Sequence, residues 1–277
     1  MTRNPADVDL VKSGADDPFA MPPRRAPFVA VLIIGVLLVA LGIGYVVKRR
    51  SAVTPQSVPV RSETVNPSAT SAEQLPLPPL DESDAFVRDL VARLSSHPTV
   101  AAWLTTDGLI VNFVVVTTRI AQGESPSSEL KAVGPVTPFQ TRTVKGRTFV
   151  DPSSYPRYDR YADAVAALDA SGTARLYEAL KPRIREAHRR FGATDEQADR
   201  VLERAIVELL KVPIPRGDVE LTPAGVGYAF ADERLEQLTP AQKQLLRMGP
   251  ENMKKVQDKL REIAGHLGID ATKLTAQ

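Results

Sequence analysis

Tyr155, Tyr158 and Tyr161 interleave with Arg157 and Arg160 and make up half of the chain's six tyrosines. Clusters of aromatic rings and guanidiniums are typical of binding hot spots, where a rigid ring fills a pocket and a planar cation orients a partner. Tyr158 and Tyr161 are three residues apart and share a face if the segment is helical. The plainer alternative is that the rings cover the core and their hydroxyls satisfy nearby backbone. A second cluster gathers Lys243, Arg247, Lys254, Lys255, Lys259 and Arg261 against Glu251 and Asp258. It reads either as a surface for an anionic partner or lipid headgroups, or as a solvated helix face. From the two clusters, Tyr155, Arg157, Tyr158, Tyr161, Lys243, Arg247, Lys254 and Lys255 are the candidate binding residues.

Other chemistry finds little support. Cysteine is absent, which removes disulfides, thiol nucleophiles, zinc–thiolate and iron–sulfur sites. There is no G-x-S-x-G elbow and no glycine-rich phosphate loop. The three histidines, His97, His188 and His266, fall in no metal-ligand spacing. His97 precedes Pro98 at an expected helix end, His188 lies in KPRIREAHRR, read as a solvated basic face, and His266 lies near the last helix's C-terminus. Each reads as structural or surface-exposed. Asp81, Glu82 and Asp84 stand at a helix entrance, where acids offset the N-terminal dipole, and they lack the spacing of a calcium loop. No catalytic residue, metal or cofactor is assigned.

The elements that carry these residues divide the chain in four. Phe28 to Val47 passes twenty residues without a charge. As a helix it spans about 30 Å, the thickness of a bilayer core. Arg24 and Arg25 precede it; Lys48, Arg49 and Arg50 follow. A cleavable signal peptide would have a shorter apolar run and a small-x-small site, so the segment reads as an uncleaved membrane anchor. The basic residues Lys12, Arg24 and Arg25 against Lys48, Arg49, Arg50 and Arg61 nearly tie in the positive-inside count. Linker composition and the missing cysteines favour an N-terminus inside and a C-terminal domain across the membrane. Ala40 and Gly44 form a small-xxx-small pair that offers a face for a homodimer; small residues are also common in such helices. Residues 1–27 read as a disordered tail. Residues 48–80 read as a disordered Pro-rich linker, with six prolines in 51–80. Such a tether reaches roughly 90 Å stretched and roughly 30 Å as a flexible coil.

Residues 81–277 read as one mainly helical domain. It holds 27 basic and 27 acidic side chains, a balance that argues against nucleic acid as a partner. Helical spacing recurs over Phe86–Leu94, with Ser83 as the expected N-cap, and over Leu109–Ala121, where β-branched Val114–Thr118 could also form a strand. It returns over Tyr158–Leu168 and again up to Phe191 in a helix capped by Ser171, where Pro182 must kink or split the helix. Thr194 to Gln197 fits a capping box for a helix reaching Leu210. A short piece around Val100–Leu104 carries the only tryptophan, Trp103; short helices are expected at Asp232–Leu238 and Pro240–Met248, and a last one begins at Pro250. In that last helix Met253, Val256, Leu260, Ile263 and Leu267 form an unbroken apolar stripe. A β-hairpin is expected around Lys145-Gly146, and two extended pieces near Val219–Leu221 and Gly227–Phe230.

Three stretches carry a resemblance: LPPLDESDAFVRDLVARLSSHPTVAAWL (Leu77 to Leu104), DPSSYPRYDRYADAVAALDASGTARLYEAL (Asp151 to Leu180) and LTPAQKQLLRMGPEN (Leu238 to Asn252). Together they resemble the bacterial family designated domain of unknown function 3014, over roughly Leu77 to Leu267. The resemblance implies the same architecture of short tail, single membrane helix, Pro-rich tether and C-terminal domain. It implies no activity, substrate or catalytic residue. The expectation is a single-pass protein of the bacterial inner membrane with a periplasmic domain. Its role is expected to be non-enzymatic interaction or scaffolding with another envelope protein. The alternatives are a ligand-sensing module with a tyrosine-lined groove, and an envelope enzyme with a site of dispersed Asp, Glu, Tyr and Arg.

Overall fold

The computed structural model describes residues 77–126, 137–225 and 227–274. The expected tail, the membrane segment with its Ala40–Gly44 pair, and the linker up to residue 76 lie outside the described residues. Among the described residues, no helix is long and apolar enough to cross a membrane.

The domain begins before residue 81. Leu80 is buried and opens a single 3-10 turn, Leu80–Glu82. Helices α1 (Asp84–Ala92), α2 (Pro98–Trp103) and α3 (Leu109–Ala121) follow. Strands β1 (Thr141–Val144) and β2 (Arg147–Val150) precede α4 (Asp159–Ala166), α5 (Ala170–Arg190) and α6 (Asp195–Leu210). Strands β3 (Glu220–Ala224) and β4 (Gly227–Phe230) lead to α7 (Glu233–Glu236), α8 (Pro240–Leu246), α9 (Pro250–His266) and α10 (Ala271–Leu274). The core forms where α3 packs on α5 and α6, and α9 packs on α4, α5 and α6. Phe113, Leu176, Leu180, Ile184, Met253 and Leu260 lie fully buried there.

Helix α3 forms where β-branched residues alone suggest a strand, because both its ends and its face are specified. Its apolar positions recur at helical spacing, and Leu109, Phe113, Val116 and Ile120 are all buried. Its N-terminus is capped from α1: the Asp84 carboxylate accepts Gly108 N–H at 2.6 Å and Leu109 N–H at 2.8 Å. One turn on, Arg88 donates to the carbonyls of Leu104 at 2.6 Å and Thr106 at 2.8 Å. Two side chains of α1 therefore set the loop between α2 and α3.

The expected hairpin is half of a larger unit. The four strands form one antiparallel sheet in the order β1-β2-β3-β4. Lys145 and Gly146 both have positive φ, the geometry of a tight primed turn. The β2–β3 pairing sets Thr148 opposite Leu221 and Phe149 opposite Glu220. Val150 and Leu221 face inward and are buried. Phe149 lies on the other face under Arg147, which pairs with Glu220.

Several local expectations need correction. Helix α1 ends at Ala92, and His97 instead starts α2: its Nδ1 accepts Thr99 N–H at 3.2 Å. Ser83 donates to the Leu80 carbonyl at 2.7 Å rather than capping α1. Asp169 precedes α5, so Ser171 lies in its first turn. Pro182 does not split α5. It sits on an exposed face, as does Glu178, so water can bind the carbonyl that proline leaves without a donor. The capping box of Thr194 and Gln197 forms on α6 as expected, and a second one joins Thr239 and Gln242 on α8.

The Asp84 cap gives a direct test. We expect Asp84→Ala to destabilise the protein by about 1–2 kcal/mol, since two buried-end amides lose their acceptor. Urea denaturation read by circular dichroism measures it, and an unchanged midpoint would remove the cap from the account of α3.

Candidate functional site

The two clusters separated by some ninety residues in sequence meet in space. The link is a run of close contacts between the corner before α4 and the start of α9. Gly249 has φ +82, and a Cβ there would lie 2.4 Å from Tyr155 Cγ. Only glycine lets the backbone approach the ring so closely. Three residues on, the buried Asn252 amide donates to the Tyr155 carbonyl at 3.2 Å, to Asp159 Oδ1 at 2.8 Å and to the Met248 carbonyl at 3.1 Å. Lys255 then bridges to Asp163 of α4 at 2.6 Å.

On this base the tyrosines take unequal roles. Tyr158 and Tyr161 are buried, and Tyr161 stacks on Trp103 with ring centroids 6.5 Å apart. They serve the core, so they line no open groove. Burial pushes the phenol pKa of Tyr158 above its ordinary value, and that of Tyr155 likewise. Arg160 lies over the Tyr161 ring, 4.6 Å from its centroid.

Arg157 is half-buried between two rings, 5.5 Å from the Phe139 centroid and 5.2 Å from that of Tyr158. Its Nη1 donates to the Thr137 carbonyl at 3.1 Å. Its Nε is buried and has no hydrogen-bond partner among the described residues. Arg247, at the end of α8, approaches the same place. Burial lowers its pKa, the Arg157 charge lowers it further, and Tyr158 and Glu236 oppose the shift. Arg247 also donates to Gln244 Oε1 at 2.9 Å. Lys243 pairs with Glu236 at 2.5 Å, and Glu236 also accepts Phe230 N–H at 2.8 Å. These two contacts, the lysine first, hold the Glu236 carboxyl below its ordinary pKa.

The rest of the basic cluster disperses. Lys254 pairs with Asp258 along its own helix, Lys259 with Glu262, and Arg261 with Asp258 at 3.1 Å. These residues form a neutralised helix face, so Lys254 does not join the site. What remains is Arg157, stacked beside Phe139 and Tyr158, with Arg247 within electrostatic range of it and Lys243 neutralised by Glu236.

Sequence reading missed Asn252, Gln242 and Gln257. All three are buried, and Gln257 Nε2 donates to the carbonyls of Leu209 at 3.0 Å and Val212 at 2.9 Å. The signal was present: Asn252 and Gln257 fall on the same helical face as Met253, Val256 and Leu260. His188 was misplaced. It is 3% exposed, and burial lowers its pKa from the ordinary 6.5. Its position four residues after Ile184 turns it inward, while Arg189 and Arg190 turn outward.

The acids near residue 81 line a cavity of about 490 Å3 with Leu80, Gly108, Ile110 and Val111. Asp81 pairs with Arg190 at 2.6 Å, Asp84 caps α3, and Asp107 pairs with Arg88 at 2.9 Å. Among the described residues, no group of three or more acids and histidines is placed to hold a metal ion.

Two outcomes follow from this packing. Gly249→Ala should cost about 2–5 kcal/mol, combining glycine-only backbone geometry with overpacking. Adding Tyr155→Ala should recover the overpacking part alone, measured as the coupling in a double-mutant cycle by urea titration. The buried neutral His188 makes stability pH-dependent: the unfolded chain binds its proton near the ordinary 6.5, and the folded chain does so only at lower pH. Stability should therefore fall as pH drops from 7 towards 5, and His188→Gln should flatten that slope. An identical slope in the variant would assign the effect to other groups.

No curated protein and no solved structure matches the chain. A family model does match, over residues 109–264, more than half of the sequence. Two of the three stretches that carry the resemblance lie inside that range, and Leu77–Leu104 precedes it. The chain thus belongs to the family described as "Protein of unknown function (DUF3014)".

Proposed function

We propose that this chain is a single-pass protein of the bacterial inner membrane, anchored through Phe28 to Val47. Its helical domain is a non-enzymatic interaction or scaffold module in the envelope, held on the Pro-rich tether. The observation that carries this reading is the way the end of the tether is fastened. Arg183 of α5 donates Nε to the Pro78 carbonyl at 2.7 Å and Nη2 to the Leu77 carbonyl at 2.8 Å. Two turns later Arg190 holds both oxygens of Asp81, at 2.6 and 2.9 Å. Leu80 between them is buried. The prolines therefore do not run loosely into the domain. They end on its longest helix, an arrangement suited to holding a binding domain away from a bilayer.

The disposition of reactive side chains supports a binding role over catalysis. His97 caps a helix, His188 is buried, and the two inward tyrosines belong to the core. The partly exposed rim of the candidate site, Arg157, Lys243 and Arg247, is cationic, a chemistry of recognition.

Placement is tested in intact cells. A Ser68→Cys variant of the full chain, which has no other thiol, is treated with a membrane-impermeant thiol reagent. Labelling before lysis is the expected result. Labelling only after lysis would place the domain in the cytoplasm and overturn the envelope reading.

A further inference from the structure

We propose that the tether itself extends the sheet: residues 62–65 pair with β1 as a fifth strand, parallel to it, with Ser62 opposite Thr141 and Val65 opposite Val144. The proposal rests on reading residues 48–76 as the tether of an anchored domain, and it gives that tether two lengths.

The sheet has one closed edge and one open edge. Its strand order leaves β1 and β4 outermost. On β4 the outward Phe230 N–H donates to Glu236 Oε2 at 2.8 Å, and α7 packs along the strand. On β1 the arrangement differs. Asp151 N–H donates to the Gln140 carbonyl at 3.0 Å. Bonded and non-bonded pairs alternate along an antiparallel ladder, so Thr141 and Thr143 turn their amides and carbonyls away from β2. Among the described residues nothing bonds to these four groups. Val144 beside them is 42% exposed. Such an edge accepts an extended segment through backbone pairing.

The tether carries a segment that fits. Residues 60–66, VRSETVN, lie between Pro59 and Pro67 and contain no proline, so every amide the ladder needs is present. Val60, Thr64 and Val65 favour extended backbone. In the proposed register Thr141 and Thr143 bond to the amides of Glu63 and Val65 and to the carbonyls of Arg61 and Glu63. Alternation then sets Ser62 and Thr64 beside Thr141 and Thr143 on one face, and Glu63 and Val65 beside Arg142 and Val144 on the other. Each is a favourable cross-strand neighbour. Reversing the segment about the Glu63–Arg142 pair would set Arg61 against Val144 and spoil the match. Arg142 also holds Asp218 at 2.5 Å, so Glu63 adds orientation more than energy. Residues 66–76 join the segment to the domain and span up to about 36 Å. A domain of this length is roughly 40 Å across, so the segment reaches its own sheet. Docked, it leaves residues 48–59 free, roughly 37 Å when stretched instead of roughly 90 Å.

The test uses the full chain purified in detergent, which has no thiol of its own. In the double variant Val65→Cys with Val144→Cys, mild oxidation by copper phenanthroline should close an intrachain disulfide, read as loss of maleimide-reactive thiol from the monomer band. Closure should be about tenfold faster or more than with Thr64→Cys in place of Val65→Cys, since that side chain lies equally far along the tether but on the other face of the strand. Glu63→Pro, which removes an amide the ladder needs, should slow closure to the Thr64→Cys rate, and Glu63→Arg should slow it as well. Both of these changes lie in the tether, so the circular dichroism melt of the domain should not move. Equal rates for the two cysteine positions, or closure indifferent to Glu63→Pro, would overturn the proposal. So would a disulfide-linked dimer as the main product in dilute protein, which would assign the edge to a second copy. The crosslink is read in detergent and the Ser68→Cys label in cells, so a failed crosslink leaves the envelope reading standing and a cytoplasmic label leaves the docked strand standing.

Discussion

The close approach of Gly249 to the Tyr155 ring is the contact on which the arrangement of this domain turns. A side chain at residue 249 would collide with the ring, so the bend before α9 is tied to the corner before α4. Asn252 then fastens that corner by donating to one backbone carbonyl and one carboxylate from it. Buried amides of this kind give modest net stability but exact a penalty if mispaired. They therefore select one docking of α9 among the many its apolar stripe would accept. The same choice places Arg247, the residue that follows α8, within electrostatic reach of Arg157.

Charge pairs cover much of the remaining surface, but they do not hold the fold. Pairs such as Arg200–Glu196 and Lys254–Asp258 are exposed and follow one helix face; each contributes at most about 1 kcal/mol. The pairs that cross between elements have a different role. Arg147–Glu220 spans 73 residues and links β2 to β3 across the outward face of the sheet. Arg185–Asp199 links α5 to α6. These contacts set register and orientation, while the apolar seams between α3, α5, α6 and α9 supply the driving force.

Whatever depended on neighbours along the chain was legible in the sequence. The capping box at Thr194 needs only four residues, and the face of α3 needs only its own spacing. Whatever depended on distant partners was not. Four short strands could be seen singly, but the β2–β3 pairing that unites them is a tertiary contact. The two basic and aromatic clusters were each visible, yet nothing local says that they meet or that Lys254 turns away. His188 shows how charged neighbours mislead: a run reading HRR is basic in sequence, but 100° per residue separates its first member from the other two. Proline misled differently. Pro182 breaks a helix on paper, and is harmless where the freed carbonyl faces water.

The fastening at the front of the domain has a mechanical consequence. Residues 77–81 run alongside α5 in the same direction as the helix, gripped at Arg183 and again at Arg190. A pull directed along residues 77–81 runs parallel to the axis of α5 and across these contacts. They are then sheared together, not peeled one after another. The force passes into α5, which packs on α3, α6 and α9, and is spread over the whole core before any single element must yield.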